Sequence, residues 1–199
     1  MLSRKIPNCA GNLQSLTIMR LSSNRLSGVI QRSLALIPSL FCSNLNDNNF
    51  IGELPQELGN LQGLEVLDLV DNKFFGNIPK WIGKNLTSLL VLRLHKSNFI
   101  VRIPPSLCKT STLQILYLAY NLMGTILRCV GKLNSMIESH SRIVYPFDIN
   151  HDNNVIQFMK DVDIEYTTTW RIVFNMDLSS NKLMGEVLVK LTTLFCCWV

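Results

Sequence analysis

Asparagine returns at nearly constant intervals along this 199-residue chain, and that period limits most strongly what the chain can fold into. The equivalent positions are Asn24, Asn48, Asn72, Ser97, Asn121 and Asn181, at successive intervals of 24, 24, 25, 24 and 60 residues. Apolar residues, mostly leucines, precede each of these positions at fixed distances, and a glycine and an Ile-Pro or Leu-Pro pair follow in the best copies. A multi-position pattern held in register over successive copies predicts stacked structural repeats.

Each position of the repeat has a physical role. The Leu-x-Leu pair, as at Leu67 and Leu69, predicts a short strand, because alternate residues of a strand point to the same side. The other leucines fill a core that one repeat cannot close alone, so neighbouring repeats must stack. The asparagine side chain has donors and an acceptor, and we expect it to satisfy backbone groups at the turn that leaves the strand. A leucine-rich helical domain is excluded, because Asn, Gly and Pro recur where they would break a helix.

The repeat contains the motif L-x-x-N-x-L/F-x-G-x-I/L-P, and residues 50–55 and 74–79 carry its most specific part, L/F-x-G-x-I/L-P. At a 24-residue period this motif resembles the plant-specific class of leucine-rich repeats. That class forms the ectodomains of plant receptor-like kinases and receptor-like proteins, and the secreted polygalacturonase inhibitors. The resemblance implies an α/β solenoid, a horseshoe with a parallel β-sheet on its concave face. Short 3-10 or irregular segments are then expected on the convex face.

The repeat divides the chain into three predicted parts. Residues 1–133 hold about five leucine-rich repeats and begin in the middle of one, and residues 172–199 hold a final partial repeat and an irregular tail. Between them, residues 134–171 do not fit, since the 60-residue interval exceeds one repeat by 60 − 24 = 36 residues. Their place resembles the non-repeat island that interrupts the array of receptor-like proteins before its last repeats.

The insert is acidic, and two interpretations of it stay open. Residues 143–170 carry five acidic side chains and one basic one, a charge of −4 within a chain of +5. A segment this polar is typical of a solvated acidic loop. The alternative is an ordered island that adds ligand contacts through Ile156, Phe158 and Ile164.

Compared with the family, several parts are missing from the sequence. We find no N-terminal cap with paired cysteines, no C-terminal cap, no membrane helix and no kinase domain, and the last residues leave the register of the repeat. No signal peptide is visible. The expectation is therefore a fragment or truncated copy, with membrane association only through segments that this sequence lacks.

Composition and motifs argue against catalysis, metals and nucleic acid. The chain has a net charge of +5, but its basic residues are scattered and form no patch that would bind a nucleic-acid backbone. The three histidines lack metal-binding spacing, the six cysteines include no C-x₂-C pair, and no catalytic motif occurs. We therefore predict a non-enzymatic protein without a metal or cofactor.

The concave face is the predicted ligand-binding site, because the residues beside the core leucines of each strand point towards it. The candidates are Arg20, Asn44, Asp68, Arg93, His95, Tyr117 and Asp177. Charged and aromatic groups on a rigid surface are what protein recognition uses, with Tyr and Arg prominent. The alternative for any one of them is a solvated strand position without a role in binding.

Two further features concern modification. Asn85 opens the only N-x-S/T sequon and is a glycosylation site if the protein is secreted, provided that its side chain projects outward beside the core residue Leu86. Cys108 and Cys129 lie in neighbouring repeats, where they form either a disulfide on the convex side or two buried thiols.

By resemblance, the sequence is expected to function as the recognition domain of a plant cell-surface receptor-like protein. Such proteins stand at the plasma membrane with their repeats outside, bind peptide or protein ligands in defence or development, and signal with a co-receptor kinase. A secreted wall protein like the polygalacturonase inhibitors is the alternative, although their uninterrupted array argues against it. A third hypothesis is a fragment without an independent function.

Overall fold

In a computed structural model, the structure describes residues 1–99, 103–119, 123–125, 133, 155–159, 162–166 and 175–184. The strands are β1 (Ser3–Arg4), β2 (Ile18–Arg20), β3 (Arg25–Gly28), β4 (Cys42–Asn44), β5 (Asn49–Gly52), β6 (Val66–Asp68), β7 (Lys73–Gly76), β8 (Val91–Arg93), β9 (Asn98–Phe99), β10 (Ile115–Tyr117), β11 (Met123–Thr125), β12 (Val155–Met159), β13 (Val162–Tyr166), β14 (Asn175–Asp177) and β15 (Lys182–Met184). The helices are the 3-10 helices Asn8–Asn12, Arg32–Leu36, Gln56–Asn60 and Pro105–Lys109, and the α-helix α1 (Lys80–Asn85).

The Leu-x-Leu segments form one parallel sheet, as the repeat predicts. Its strand order is β14-β10-β8-β6-β4-β2, so each described repeat contributes one strand. Leu67 pairs with Leu92 on adjacent parallel strands, and the N–H of Leu69, just beyond β6, donates to the carbonyl of Arg93 at 2.9 Å. The face of this sheet turned away from the leucine core is the concave face of the solenoid. The expected α/β solenoid is confirmed.

A second parallel sheet, which the sequence analysis did not predict, runs beside the first in the order β1-β3-β5-β7-β9. Three of its strands, β3, β5 and β7, end at the glycine of the repeat. Gly28, Gly52 and Gly76 have φ of +81°, +94° and +87°. Residues that carry a side chain rarely adopt this backbone conformation. A Cβ on Gly28 would also lie 2.8 Å from Cγ of Lys5 in the preceding repeat. Glycine is therefore favoured both for the turn and for the close approach of neighbouring repeats, although Arg4 adopts a similar φ of +83° at the equivalent position of the first strand.

Short helices follow on the convex side, and proline starts them. Pro55, Pro79 and Pro104 stand directly before a helix with φ of −66°, −68° and −69°. The ring fixes this angle and removes an N–H that the first turn would leave unpaired. Neighbouring helices pack closely, since a Cβ on Gly83 of α1 would lie only 2.3 Å from the carbonyl oxygen of Ser106.

The core between the sheets and the helices is a continuous stack of apolar side chains, one layer per repeat. Phe50, Phe74 and Phe99 form one column of this stack and are at most 2% exposed. Their ring centroids lie 6.1 and 6.2 Å apart, with interplanar angles of 8° and 19°. This distance lies within the range for favourable aromatic pairs, so the column links three successive repeats.

The array continues across the predicted insert. Leu116 of β10 pairs with Met176 of β14, although the two are 60 residues apart, and β11 pairs with β15. Within the intervening segment, β12 and β13 form an antiparallel pair. The side chains of Ile156, Phe158 and Ile164 lie outside what the structure describes, so their role as ligand contacts and the boundaries of the three predicted parts stay predictions.

Candidate ligand-binding face

The asparagine of the repeat holds the turn at the end of each strand of the main sheet. The amide nitrogen of Asn72 donates to the carbonyls of Leu45, Leu69 and Val70 at 3.0, 3.2 and 3.1 Å, and its Oδ1 accepts the N–H of Phe50 at 3.0 Å. Asn72 is 6% exposed, so these are buried polar groups that would otherwise be costly. The expected role of this side chain is confirmed, and it makes the end of each strand a fixed platform.

The equivalent asparagines repeat this arrangement in the part of the chain that the structure describes. Asn24, Asn48 and Asn181 each donate to backbone carbonyls, whereas Ser97 donates one hydrogen bond, to Leu69. Asn121 lies outside the described residues. The residues before them, Ser23, Asp47, Asp71, Lys96 and Ser180, all have φ of 52–53°. This left-handed residue reverses the chain directly after the strand, and the sequence analysis missed it.

Six of the seven predicted ligand-binding residues stand in one row across the main sheet. The row, called the concave ladder here, consists of Arg20, Asn44, Asp68, Arg93, Tyr117 and Asp177, each at the end of its strand and each in register with the next. His95 lies two residues beyond Arg93. The alternation of side chains in a strand brings these six residues together on the concave face.

Exposure divides the concave ladder into a buried centre and two more accessible ends, of which the Arg20 end is the more exposed and is called the accessible end here. Arg20 is exposed, and Asn44 and Asp177 are half-buried. In contrast, Asp68, Arg93 and Tyr117 are 3%, 5% and 0% exposed, and His95 is 6% exposed. The repeat pattern does not distinguish the exposure of these seven residues, and their burial was not predicted from the sequence. Ligand contact by any of them stays a prediction.

The buried centre is a connected polar and aromatic cluster. Nη1 of Arg93 donates to Oδ2 of Asp68 at 2.7 Å, and the N–H of Val70 donates to the other oxygen, Oδ1, at 3.2 Å. The guanidinium carbon of Arg93 lies 5.5 Å from the centroid of the Tyr117 ring, a cation–π distance. The ring of His95 meets the same tyrosine edge-on, at 5.7 Å between centroids. These four side chains, from three successive repeats, thus hold one another in place.

Burial sets the protonation of this cluster. It raises the pKa of the Asp68 carboxyl, and the Arg93 guanidinium and the Val70 N–H partly offset that rise. Burial, and next the nearby charge of Arg93, lower the pKa of His95 to about 4. Nδ1 of His95 and Nε of Arg93 are buried without a hydrogen-bond partner. The cluster therefore holds one buried ion pair and a neutral histidine at neutral pH.

The lowered pKa of His95 predicts acid sensitivity. In the unfolded chain the imidazole takes up a proton near its ordinary pKa of 6.5, whereas in the folded chain its pKa is about 4. The stability from this group is therefore full above pH 6.5 and falls below it. Between pH 6.5 and 5 the expected loss is about 2 kcal/mol, from roughly 1.4 kcal/mol per pH unit. Urea unfolding at several pH values measures it. His95→Gln should remove this part of the pH dependence, and an unchanged slope in that variant would contradict the assignment.

Apolar side chains occupy the other outward position of the same strands. Cys42, Val66, Val91 and Ile115 are at most 9% exposed and form a buried cluster with Leu90 and Tyr117, separate from the leucine core. The sequence contains the signal for this cluster, because the residue before the core position is apolar in five of the six strands of the main sheet. The thiol of Cys42 is free, and burial raises its pKa to about 11, so it stays protonated at neutral pH.

The predicted modification sites lie on the convex side. Asn85 ends α1 and is exposed, as a glycosylated asparagine would need to be, and its modification stays a prediction. Cys108 lies in the 3-10 helix Pro105–Lys109 and is disulfide-bonded, so it is not one of two buried thiols. Cys129 lies outside the described residues, and its pairing with Cys108 stays a prediction.

Metal-binding clusters and membrane-spanning helices are both absent from the ranges that the structure describes. There, no three His, Cys, Asp or Glu side chains are grouped so that they could hold a metal ion. The same ranges contain no helix with the length and hydropathy needed to cross a membrane.

Comparison with known proteins finds one family match, over part of the chain. Residues 63–85 match the family described as Leucine Rich Repeat. No curated protein sequence matches the chain.

Solved structures match over most of the chain. The PEPR1–AtPEP1 structure is 26% identical at a TM-score of 0.74, and the match covers 96% of this chain and 22% of that one. The Arabidopsis receptor kinase HAESA, solved with the peptide hormone IDA and the co-receptor SERK1, is 26% identical at a TM-score of 0.67, covering 96% and 30%. The leucine-rich-repeat ectodomain of the plant membrane receptor kinase GASSHO1/SCHENGEN3 from Arabidopsis thaliana, with CASPARIAN STRIP INTEGRITY FACTOR 2, is 34% identical at 0.64, covering 66% and 16%.

The chain spans less than a third of the length of each of these structures. Its fold matches theirs at TM-scores of 0.64 to 0.74, and residues 63–85 match the leucine-rich-repeat family. The chain is therefore built of leucine-rich repeats, and its fold is similar to that of plant receptor-kinase ectodomains.

Proposed function

We propose that the chain is a non-enzymatic recognition domain of a plant cell-surface receptor, which binds a peptide or protein ligand on its concave face. The observation that carries the proposal is the concave ladder, a row of charged, amide and aromatic side chains in strand register on one rigid sheet. Similarity to receptor structures solved with peptide hormones supports this choice of ligand class.

Further parts of the proposal come from the same similarity. A co-receptor kinase would bind the complex, as SERK1 does in the HAESA structure. The repeats would face the outside of the plasma membrane, as expected for the ectodomain of a membrane receptor kinase. A role in defence or development and glycosylation at Asn85 belong to this proposal as well.

The accessible end of the concave ladder is where a ligand can make contact without rearranging the buried centre. Arg20 is exposed and Asn44 beside it is half-buried, and both belong to the same row as the buried residues. A ligand lying along the sheet would therefore meet Arg20 and Asn44 first. This gives the proposal a residue whose substitution should affect binding more than folding.

The experiment is a binding screen of the purified chain against a synthetic library of secreted plant peptides, followed by charge reversal. Arg20→Glu should weaken binding of a captured peptide by about tenfold or more, the loss expected when an attractive charged contact becomes repulsive. Lys84→Glu makes the same charge change at an exposed position of α1 on the convex side, and it should leave affinity unchanged. Equal losses in the two variants, or no captured peptide, would argue against a concave binding face.

A further inference from the structure

We propose that Asp68 determines ligand specificity: by occupying the guanidinium of Arg93, it selects against a ligand carboxylate at the centre of the concave face. This inference rests on the proposed function, since it concerns which ligands the same face accepts. It assigns to an acidic residue of the ladder a role different from that of a direct ligand contact.

The geometry shows that Asp68 is held in place to do this. Asp68 and Arg93 are register partners on the adjacent strands β6 and β8, and their side chains meet at 2.7 Å. The N–H of Val70 fixes the second carboxylate oxygen at 3.2 Å. The two side chains are only 4% and 6% exposed, so water screens the pair little.

An incoming carboxylate would have to displace this partner. It would lose its own hydration on entering the site, and Asp68 would remain as a buried charge without a counterion, which is strongly unfavourable. The two carboxylates would also repel each other. A negatively charged ligand group is therefore excluded although an arginine stands at the centre of the face.

The remaining polar atoms favour a neutral group instead. Nε of Arg93 carries an N–H that is buried without an acceptor, and Nδ1 of His95 is also buried and unpaired. Val66, Val91 and Ile115 form the adjoining buried apolar surface. For a ligand that opens access to this buried centre, a neutral carbonyl oxygen on an apolar segment would suit it, because that oxygen can accept from Nε without competing with Asp68.

Acetate and its neutral isostere acetamide test the proposal directly. Asp68→Ser removes the carboxylate, leaves space beside Arg93 and keeps a hydroxyl that can accept the N–H of Val70. Acetate should bind this variant about tenfold or more tightly than it binds the unmodified chain, because a charge-assisted pair with Arg93 becomes available. The readout is a saturable rise in melting temperature. With acetamide, any rise should be the same in Asp68→Ser as in the unmodified chain, because a neutral amide does not compete with Asp68.

Two controls assign the effect to Arg93. The matched variant Asp71→Ser removes an exposed carboxylate three residues away and should behave as the unmodified chain does. In Asp68→Ser combined with Arg93→Met, acetate should no longer stabilise the chain. Persistent stabilisation in the double variant, or acetate binding to the unmodified chain as tight as to Asp68→Ser, would overturn the proposal.

If Asp68→Ser does not fold, acetate titration of the unmodified chain still tests the proposal. Acetate binding to the unmodified chain that Arg93→Gln abolishes would show that Asp68 leaves Arg93 open, and would also overturn the proposal; no such binding supports it. These titrations contain no peptide. A failure of the peptide screen would therefore contradict the proposed function without affecting the acetate result. A contrary acetate result would likewise overturn the role of Asp68 without affecting the peptide screen.

Discussion

Phe74→Ala is expected to lower the free energy of unfolding by about 3–5 kcal/mol, the usual cost of truncating a buried phenylalanine. Phe74 is fully buried and stacks on Phe50 at 6.1 Å and on Phe99 at 6.2 Å. Its removal leaves a cavity and breaks both ring contacts at once. Because each repeat of a solenoid is stabilised mainly by its neighbours, the loss should weaken the coupling of the repeats on either side.

The adjacent residue provides the matched control. Phe75 lies on the same strand with its side chain pointing the other way, and it is 49% exposed. Phe75→Ala should therefore cost less than about 1 kcal/mol, as surface substitutions usually do. Urea unfolding followed by circular dichroism measures both variants. Similar losses at the two positions would mean that the phenylalanine column does not join the repeats.

Asn72→Ala is expected to cost a comparable amount, about 3–5 kcal/mol, because several buried polar groups lose their partner together. The carbonyls of Leu45, Leu69 and Val70 and the N–H of Phe50 all bond to this one side chain. Leu45 belongs to the preceding repeat, so the substitution weakens the joint between repeats as well as the turn itself. Unfolding in urea, at constant pH, measures the effect.

Two further variants test this prediction, one as a control and one with the opposite expected effect. Asn77→Ala changes an exposed asparagine five residues away and should cost less than about 0.5 kcal/mol. Ser97→Asn restores the repeat residue where serine now donates one hydrogen bond, and we expect a gain of about 1 kcal/mol, the net worth of an added hydrogen bond. An Asn72→Ala loss no larger than that of Asn77→Ala would contradict the role given to the asparagine.

Much of the fold could be predicted because the repeat expresses local chemistry several times over. Leu67 and Leu92 fall on adjacent parallel strands because alternation and the period of about 24 residues leave few other arrangements. Asn72 bonds where its donors and acceptor suggest it should. The second sheet was harder to foresee, since the strands that end at Gly28 and Gly52 are short and share no period-two pattern with the main sheet.

The candidate site was predictable in position but not in character. Register places Arg93 beside Asp68 and Tyr117, and that follows from the repeat length alone. Nothing in the spacing states that Arg20 is exposed whereas Tyr117 is completely buried. The pairing of Arg93 with Asp68, and hence the sign of the charge that the face offers, depends on side-chain geometry between repeats.

The sequence by itself determined the period, the solenoid, the strand register and the residues that share the concave face, because each of these follows from short-range rules repeated along the chain. Only the tertiary structure decided which of those residues are open to solvent, which are paired, and how burial lowers the pKa of His95 to about 4. Burial and ion pairing arise between segments distant in sequence. Their energies depend on distances and on the exclusion of water, which a pattern of residues does not contain.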